Sequence, residues 1–361
     1  MIKYLGSKRL LIQHIVACIS SLPKVATVAD LFSGTARVGH ALKREGYVIH
    51  SNDLNKYAYT LAKCYVEADA SDLQDEVIKL IVYLNSIEGK PGYITENYCV
   101  KSRFFQPHNG ERIDAIREEI ERLNLNPLLK SICLTSLMEA ADRIDSTTGV
   151  QMAYLKSWAT RSFNTLELRV PSLTDRGHNQ PSAAYNSDAL ELAPLLDVDC
   201  VYLDPPYNQH SYLGNYHIWE TLVEWDKPSL YGIAMKRTDC RERKSVFNSK
   251  RLAQQAFSDL VADIKSPNIV ISFNNEGYIN RASMEELLAK KGNVLVVDVP
   301  YKRYVGAQIG IYNPSGNLVG EVSHLKNVEH IYIVSQAKIS IDDIRDTING
   351  SLKQLSLLGA A

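Results

Sequence analysis

Asp204, Pro205, Pro206 and Tyr207 follow an apolar run of Val201, Tyr202 and Leu203. The run reads as a buried strand, so the four residues fall where a strand ends at a sheet edge, the place where open α/β sheets bind ligands. The two prolines restrict the backbone and remove two N–H donors. What remains is rich in acceptors: the Asp204 carboxylate and backbone carbonyls, with the flat ring of Tyr207 beside them. Such a set suits an exocyclic amine on a planar heterocycle. One amine hydrogen goes to the carboxylate, the other to a carbonyl, and the heterocycle stacks on the tyrosine. That nitrogen is a poor nucleophile because its lone pair is delocalised into the ring. Two acceptors hold it toward tetrahedral geometry and free the lone pair, a stabilisation that grows in the transition state. A rigid proline turn with a core tyrosine is the plainer alternative.

A second constellation lies near the front of the chain. The segment DLFSGTARVGHAL follows a strand-like run and opens a helix. A ligand at such a turn meets free N–H groups at a helix N-terminus, and Gly34 and Gly39 permit close backbone approach. The dinucleotide pattern GxGxxG is incomplete here, because Ala36 stands at its middle position. Asp53 lies 19 residues beyond Gly34, at the end of the next strand-like run. A carboxylate there can accept hydrogen bonds from both ribose hydroxyls of a nucleoside. The pair supports a nucleoside cofactor without separating NAD from S-adenosylmethionine.

The elements that must position these residues alternate. Residues 25–32 read as a strand, 34–44 as a helix, 47–52 as a strand and 54–67 as a helix, the signature of a parallel sheet with helices on its faces. The alternation then breaks. Residues 69–158 are largely helical by their 3.6-residue apolar spacing, with a loop-rich stretch at 90–111. Strand-like runs return at 201–203, 269–273, 294–299 and 330–334. The expected organisation is one sheet domain, residues 1–68 and 181–361, split by a mainly helical insertion at 69–180. Ser7 is expected to cap a helix whose buried side carries Leu10, Leu11, Ile15, Ala17, Cys18 and Ile19.

Composition sets the outer bounds. The chain has 361 residues, 45% hydrophobic and 22% charged, with a net charge of −1. It can bury a sizeable core, and any basic surface must be local. The six cysteines form no CxxC pair, which favours reduced thiols over a disulfide or zinc framework, and no metal site is expected. Lys8-Arg9 and the apolar run behind them mimic a signal peptide, but Gln13 and His14 interrupt it. No run reaches membrane-spanning length, and the reduced thiols fit a cytoplasmic protein, which is the expectation.

Five motifs in order, YLGSKRLLIQHI, DLFSGTARVG, SNDLN, LDPPY and YKRYVGAQIGIYNP, make the chain resemble the Dam-like and FokI-type N6-adenine DNA methyltransferases. The resemblance implies an α/β class I S-adenosylmethionine-dependent fold, a Rossmann-like mixed sheet with an inserted recognition domain. It implies S-adenosylmethionine as cofactor, with Tyr4 and Lys8 near its methionine moiety, Phe32, Ser33 and Gly34 looped around it, Asp53 on the ribose and Asp188 toward its adenine. Asp204, Pro205, Pro206 and Tyr207 would hold the target adenine. Ala36 departs from the second loop glycine of many members. Duplex DNA is the implied partner, with a restriction endonuclease as a companion activity, and a monomer is expected. Cytosine N4 methylation is the close chemical rival. A nucleotide-dependent oxidoreductase and a non-catalytic DNA-binding relative are more distant ones.

A base inside a duplex cannot reach such a pocket unless it is flipped out. DNA contacts must offset that cost. Residues 236–251 carry seven Lys/Arg against two Asp/Glu, a net of +5. Arg241, Arg243, Lys244, Lys250 and Arg251 are the expected phosphate ligands. Tyr207, Tyr212, Tyr216 and Trp219 give aromatic density beside them. In the insertion, Lys101, Arg103, Lys156, Arg161 and Gln106 are the candidates for reading DNA.

Overall fold

The computed structural model of the chain describes residues 1–175, 180–302, 311–312, 318–320 and 326–358. A seven-stranded mixed sheet lies at its centre. Its strands are β1 (Thr27–Asp30), β2 (Val48–Asn52), β3 (Ala183–Tyr185), β4 (Cys200–Leu203), then, after a small hairpin of β5 (Leu230–Tyr231) and β6 (Lys236–Arg237), β7 (Asn268–Asn274) and β8 (Asn293–Lys302). A second small pair, β9 (Ile311–Tyr312) and β10 (Leu318–Gly320), precedes the last sheet strand, β11 (Lys326–Ser335). The order is β3-β2-β1-β4-β7-β11-β8. The first five are mutually parallel, and β11 runs antiparallel to both its neighbours. The chain winds outward in opposite directions from β1 and β4. Their carboxyl ends therefore flank a crevice where a ligand can enter.

Successive residues of the central strands point to opposite faces, and both faces are covered. Val28, Cys200, Tyr202, Ile331 and Ile333 pack into one buried cluster, while Ala29, Val201, Leu203, Tyr332 and Val334 pack into the other. Helices α1 (Ile12–Ser20), α2 (Arg37–Arg44), α3 (Lys56–Ala62), α4 (Ala70–Asn85), α5 (Pro107–Arg122) and α6 (Pro127–Arg143) contribute to the first cluster. Helices α7 (Ala189–Leu192), α10 (Ala253–Asp263) and α11 (Arg281–Ala289) cover the other face. In sequence α8 (Tyr212–Asn215) and α9 (His217–Glu224) fall between α7 and α10, and α12 (Ile341–Leu358) ends the described chain. The helical segment between β2 and β3 shares one core with the sheet: Leu84, Ile113 and Ile132 belong to the same cluster as Ile49 and Tyr202.

Several local expectations need correction. Ser7 caps nothing with its side chain; a 3-10 turn, Lys8–Leu10, intervenes before α1, and Leu10 is exposed. The helix expected over 54–67 changes after Ala62 to wider π-type turns over Lys63–Glu67. The stretch 90–111 is less loop-like than its Gly and Pro suggest, because Thr95–Val100 is helical and Pro107 starts α5, where its missing N–H costs nothing. All six cysteines are free and buried. Among the described residues, no helix is long and apolar enough to cross a membrane. The tail motif at 301–314 lies mostly outside the described residues.

Candidate active site

Three acids stand at the carboxyl ends of three adjacent parallel strands: Asp53 after β2, Asp30 at the end of β1 and Asp204 after β4. They line one open cleft, together with Tyr4, Lys8, Phe32, Ser33, Gly34, Pro206 and Asp188. Asp204 and Pro206 of one constellation and Phe32, Ser33, Gly34 and Asp53 of the other therefore share a single cavity.

The loop after β1 is held by backbone geometry and by Asp53. Gly34 and Ala36 are both left-handed, at φ +52° and +58°. Asp53 Oδ2 accepts from the Gly34 N–H at 2.9 Å, and its Oδ1 accepts from the Asn55 N–H at 2.9 Å. Asp53 thus fixes the loop as well as facing the cleft, and burial pushes its pKa up to about 6. Behind it, Asn52 is 1% exposed. Its side-chain amide donates to the carbonyls of Leu31 and Ser187 and accepts from the Ser187 N–H, so it stitches the loops after β1, β2 and β3. Asp188 caps α7 through the Leu190 N–H at 2.9 Å while lining the cleft.

The glycines explain part of the motif. A Cβ on Gly34 would sit 3.1 Å from the Tyr4 ring, and one on Gly39 would sit 2.8 Å from Ser51 Oγ, where α2 crosses β2. Ala36 occupies a backbone position that glycine favours, at about 1–2 kcal/mol for an L residue. Its fully buried methyl returns about 0.8 kcal/mol, and glycine would add its own chain-entropy cost. Ala36→Gly should accordingly stay within about 1 kcal/mol of wild type in thermal unfolding. Gly34→Ala, with the same backbone strain plus the Tyr4 contact, should destabilise by more than that. Equal melting temperatures for the two variants would contradict this placement of the loop.

Asp204 is 19% exposed at its side chain and opens into the cleft. Its Oδ1 lies 3.0 Å from Lys8 Nζ, and the same ammonium lies 2.5 Å from Glu329 Oε1 on β11. Burial pushes Asp204 up to about 6; Lys8 pulls it back and Glu329 adds to the rise. For Lys8, burial disfavours the charge, but the two carboxylates outweigh it and raise its pKa well above the usual value. Tyr207 takes a different wall. With Pro205, Pro206, Phe247, Phe273 and Tyr278 it lines a small apolar recess beside the main cleft, its ring edge-on to Phe273 at 5.6 Å. Of the other aromatics, Tyr212 lines the cleft, stacked on Tyr4 at 5.2 Å, whereas Tyr216 and Trp219 are core.

The basic segment divides. Arg241, Lys244, Lys250 and Arg251 are exposed, with Arg241 also lying over the Tyr231 ring at 3.9 Å. Arg243, also expected to bind phosphate, is placed differently. It turns into the cleft wall and pairs with the fully buried Glu220 at 2.7 Å and with Asp239 at 3.2 Å. In the helical segment, Lys101 and Lys156 are exposed, Gln106 is half-buried at the entry to α5, Arg103 lies over Trp158, and Arg161 is held by Asp145 at 2.6 Å.

Sequence reading missed four lining or supporting residues. Asp30 is 1% exposed, and neither carboxylate oxygen has a hydrogen-bond partner. Burial, together with Asp204 and Asp53, pushes it up to about 8; the N–H groups of Phe32 and Gly39 oppose this without reaching hydrogen-bond geometry. An acid inside an otherwise apolar strand was the available signal. Phe247 meets Phe32 edge-on at 5.2 Å across the cleft wall, and its signal was a lone aromatic in a basic run. Asn52 lies in the SNDLN motif without a sign of its tethering role, and Glu329 carried no local signal.

The sequence model of D12 class N6 adenine-specific DNA methyltransferases matches residues 4–273, most of the chain. With three strand-end acids, a left-handed glycine loop and the Asp-Pro-Pro-Tyr turn around one cleft, the chain belongs to this family. Among its relatives is the modification methylase StsI of Streptococcus sanguinis, 32% identical over 321 residues, which are 84% of this chain and 48% of that protein. The type II methyltransferase M.FokI of Planomicrobium okeanokoites is 31% identical over 84% of this chain and 49% of its own length. The chain thus spans about half the length of these two relatives. The type II methyltransferase M.NlaIII of Neisseria lactamica is 29% identical over 89% of this chain and 98% of its own.

Proposed function

We propose that this protein transfers a methyl group from S-adenosylmethionine to the N6 amine of an adenine flipped out of duplex DNA, as the modification activity of a restriction–modification system. One observation carries the reading: the Asp204 carboxylate opens into the same cleft as the Gly34 loop and Asp53. A site for an exocyclic amine and a site for a nucleoside therefore adjoin. The family, and relatives named modification methylase and type II methyltransferase, support it. The strand order with its one antiparallel strand supports a class I methyltransferase fold.

The cleft fits the methyl donor on its own chemistry. Asp30 offers two buried oxygens without hydrogen-bond partners, suited to a ligand's ammonium or hydroxyl donors, and the Gly34 loop is a cradle that a Cβ would fill. In this reading Asp53 accepts from the ribose, Asp188 faces the adenine end, and Phe32 and Phe247 wall the ring. Tyr4 and Lys8 lie by the methionine side, as do Ser33 and Gly34. When bound, the donor supplies a methyl group on a sulfonium.

The residues of this chain do the rest. Asp204 accepts one hydrogen of the target amine and the Pro205 carbonyl the other, with Pro206 stiffening the turn. Tyr207 gives the flipped base a ring to stack on, worth about 1–3 kcal/mol by analogy with aromatic stacking in nucleic-acid grooves. The nitrogen would take the methyl group directly as the methyl–sulfur bond breaks, the donor leaving as a neutral thioether. Its proton becomes strongly acidic only after methylation, so Asp204 need not remove it first. The helical segment 69–180 is proposed to read sequence, with Lys101, Arg103, Gln106, Lys156 and Arg161 as contacts, and the protein is proposed to be a cytoplasmic monomer with a companion endonuclease.

Duplex DNA incubated with methyl-labelled S-adenosylmethionine should acquire label in the presence of the protein. Unlabelled DNA from a preparation that binds both ligands would refute the reading. Phosphate contacts are proposed for Arg241, Lys244, Lys250 and Arg251. Neutralising them should flatten the slope of log affinity against log salt by up to about 0.9 for each phosphate no longer paired. Neutralising Arg243, whose charge is matched by Glu220 and Asp239, should leave that slope alone. The opposite pattern in filter binding would reverse the assignment.

A further inference from the structure

We propose that Glu329 is a positioning residue for methyl transfer: it holds Lys8 and offsets its charge, so that Asp204 remains an electron-rich acceptor for the target amine. This presupposes the amine-holding role of Asp204 given above.

Glu329 comes from β11, beyond the region matched by the family model. Its side chain is 2% exposed, and the cation facing it is Lys8, itself 6% exposed. In the register of the sheet it sits between Asn274 of β7 and Val299 of β8, so the strands fix where its carboxylate can go. Lys8 therefore cannot swing away from the cleft without stranding a buried carboxylate, which is costly.

Charge balance gives the pairing a chemical consequence. Asp204, Lys8 and Glu329 together carry a net of −1 when all are ionised. Attack on a methyl group places positive charge on the amine nitrogen, and a net negative site in a half-dry cleft stabilises it. Remove the Glu329 charge, and Lys8 is left to Asp204 alone. The pair is then neutral, and its carboxylate is a weaker acceptor. Remove Lys8, and Asp204 loses its stabilising cation while Glu329 still repels it.

Glu329 could instead merely anchor the Lys8–Leu10 turn against the sheet. The protonation behaviour of Asp204 separates the two roles. The groups facing Asp204 are Lys8 from that turn, Glu329 from β11, Asp30 from β1, Tyr202 from β4, Tyr207 from its own loop and Tyr212 from α8, with Asp53 beyond. Asp30 and Asp53 also titrate above the usual aspartate range, so kinetics alone would mix them.

The test is a pH titration of the full chain labelled with carbon-13 at aspartate carboxyls, Asp204 being assigned by its disappearance in Asp204→Asn. In Glu329→Gln its midpoint should move to lower pH than in wild type, in Lys8→Met to higher pH, and in Glu329→Asp back toward wild type. Single-turnover methylation by Glu329→Gln at saturating cofactor should fall about tenfold, less than when a group touching the amine is removed. An unmoved Asp204 midpoint in folded Glu329→Gln, or midpoints that shift in the same direction in Glu329→Gln and Lys8→Met, overturns the proposal. Should Glu329→Gln fail to fold, the Lys8→Met and Glu329→Asp titrations decide it. Absence of methyl transfer by the wild type would overturn the methyl-transfer reading itself, while the titration still reports on the charge balance.

Discussion

Asp204→Ala and Asp204→Asn should each lower single-turnover methylation of duplex DNA at least about a hundredfold, the scale expected when an active site is deprived of one electrostatic interaction. The alanine removes the acceptor. The asparagine keeps its shape but replaces an anion with a neutral amide, and it leaves the Lys8 ammonium to Glu329 alone. S-adenosylmethionine should still bind, because Asp53 and the Gly34 loop are untouched. Wild-type activity should also follow the Asp204 carboxyl. Burial raises it to about 6, so the rate should fall as pH drops through that value and the carboxylate is protonated. The asparagine variant should lack this limb. Because Asp53 titrates in the same region, the profile must be taken at saturating cofactor. Wild-type single-turnover rates in Asp204→Ala would show that this carboxylate is not the acceptor.

Asp53→Ala should weaken S-adenosylmethionine binding more than tenfold. Hydrogen bonds to a charged group contribute about 1.5–3 kcal/mol each, and about 1.4 kcal/mol is a factor of ten. The geometry makes the effect larger than that of a ribose hydrogen bond alone, since Asp53 also accepts from the N–H groups of Gly34 and Asn55. Without it the Gly34 N–H has no partner and the loop loses one of its tethers, those to Asn52 remaining. Calorimetry on the folded variant gives the answer, and unchanged affinity would reject the placement of the nucleoside. The turnover rate at saturating cofactor should change far less than in the Asp204 variants, so the two acids separate binding from chemistry.

Much of this arrangement was legible in the sequence because it is local. The runs that became β1, β4 and β7 carry apolar residues on both faces, β2 opens on Val48 and Ile49, and acids follow β2 and β4 directly, so Asp53 and Asp204 could be set at a sheet edge without knowing the strand order. The three-residue, half-buried β3 offered no such contrast and went unseen. Contacts made across the fold were hidden. Lys8 and Glu329 meet across 321 positions, and only the antiparallel insertion of β11 beside β7 brings them together. Net charge misled within 236–251. Four of its cations face solvent as expected, but Arg243 is drawn inward by Glu220, a buried acid 23 positions upstream. Tyr207 adjoins Asp204 in the chain, but the packing of its ring against Phe273 in the apolar recess, with the Lys8 ammonium 5.9 Å from its centroid, could not be read there.

The identity of the methylated base is the most direct test. Duplex DNA treated with the protein and S-adenosylmethionine, then digested to nucleosides and resolved by mass spectrometry, should contain N6-methyldeoxyadenosine, and the Asp204→Ala protein should yield almost none. N4-methyldeoxycytidine as the product would contradict the assignment of adenine as the base held at Asp204, and unmethylated DNA would contradict the assignment of methyl transfer altogether.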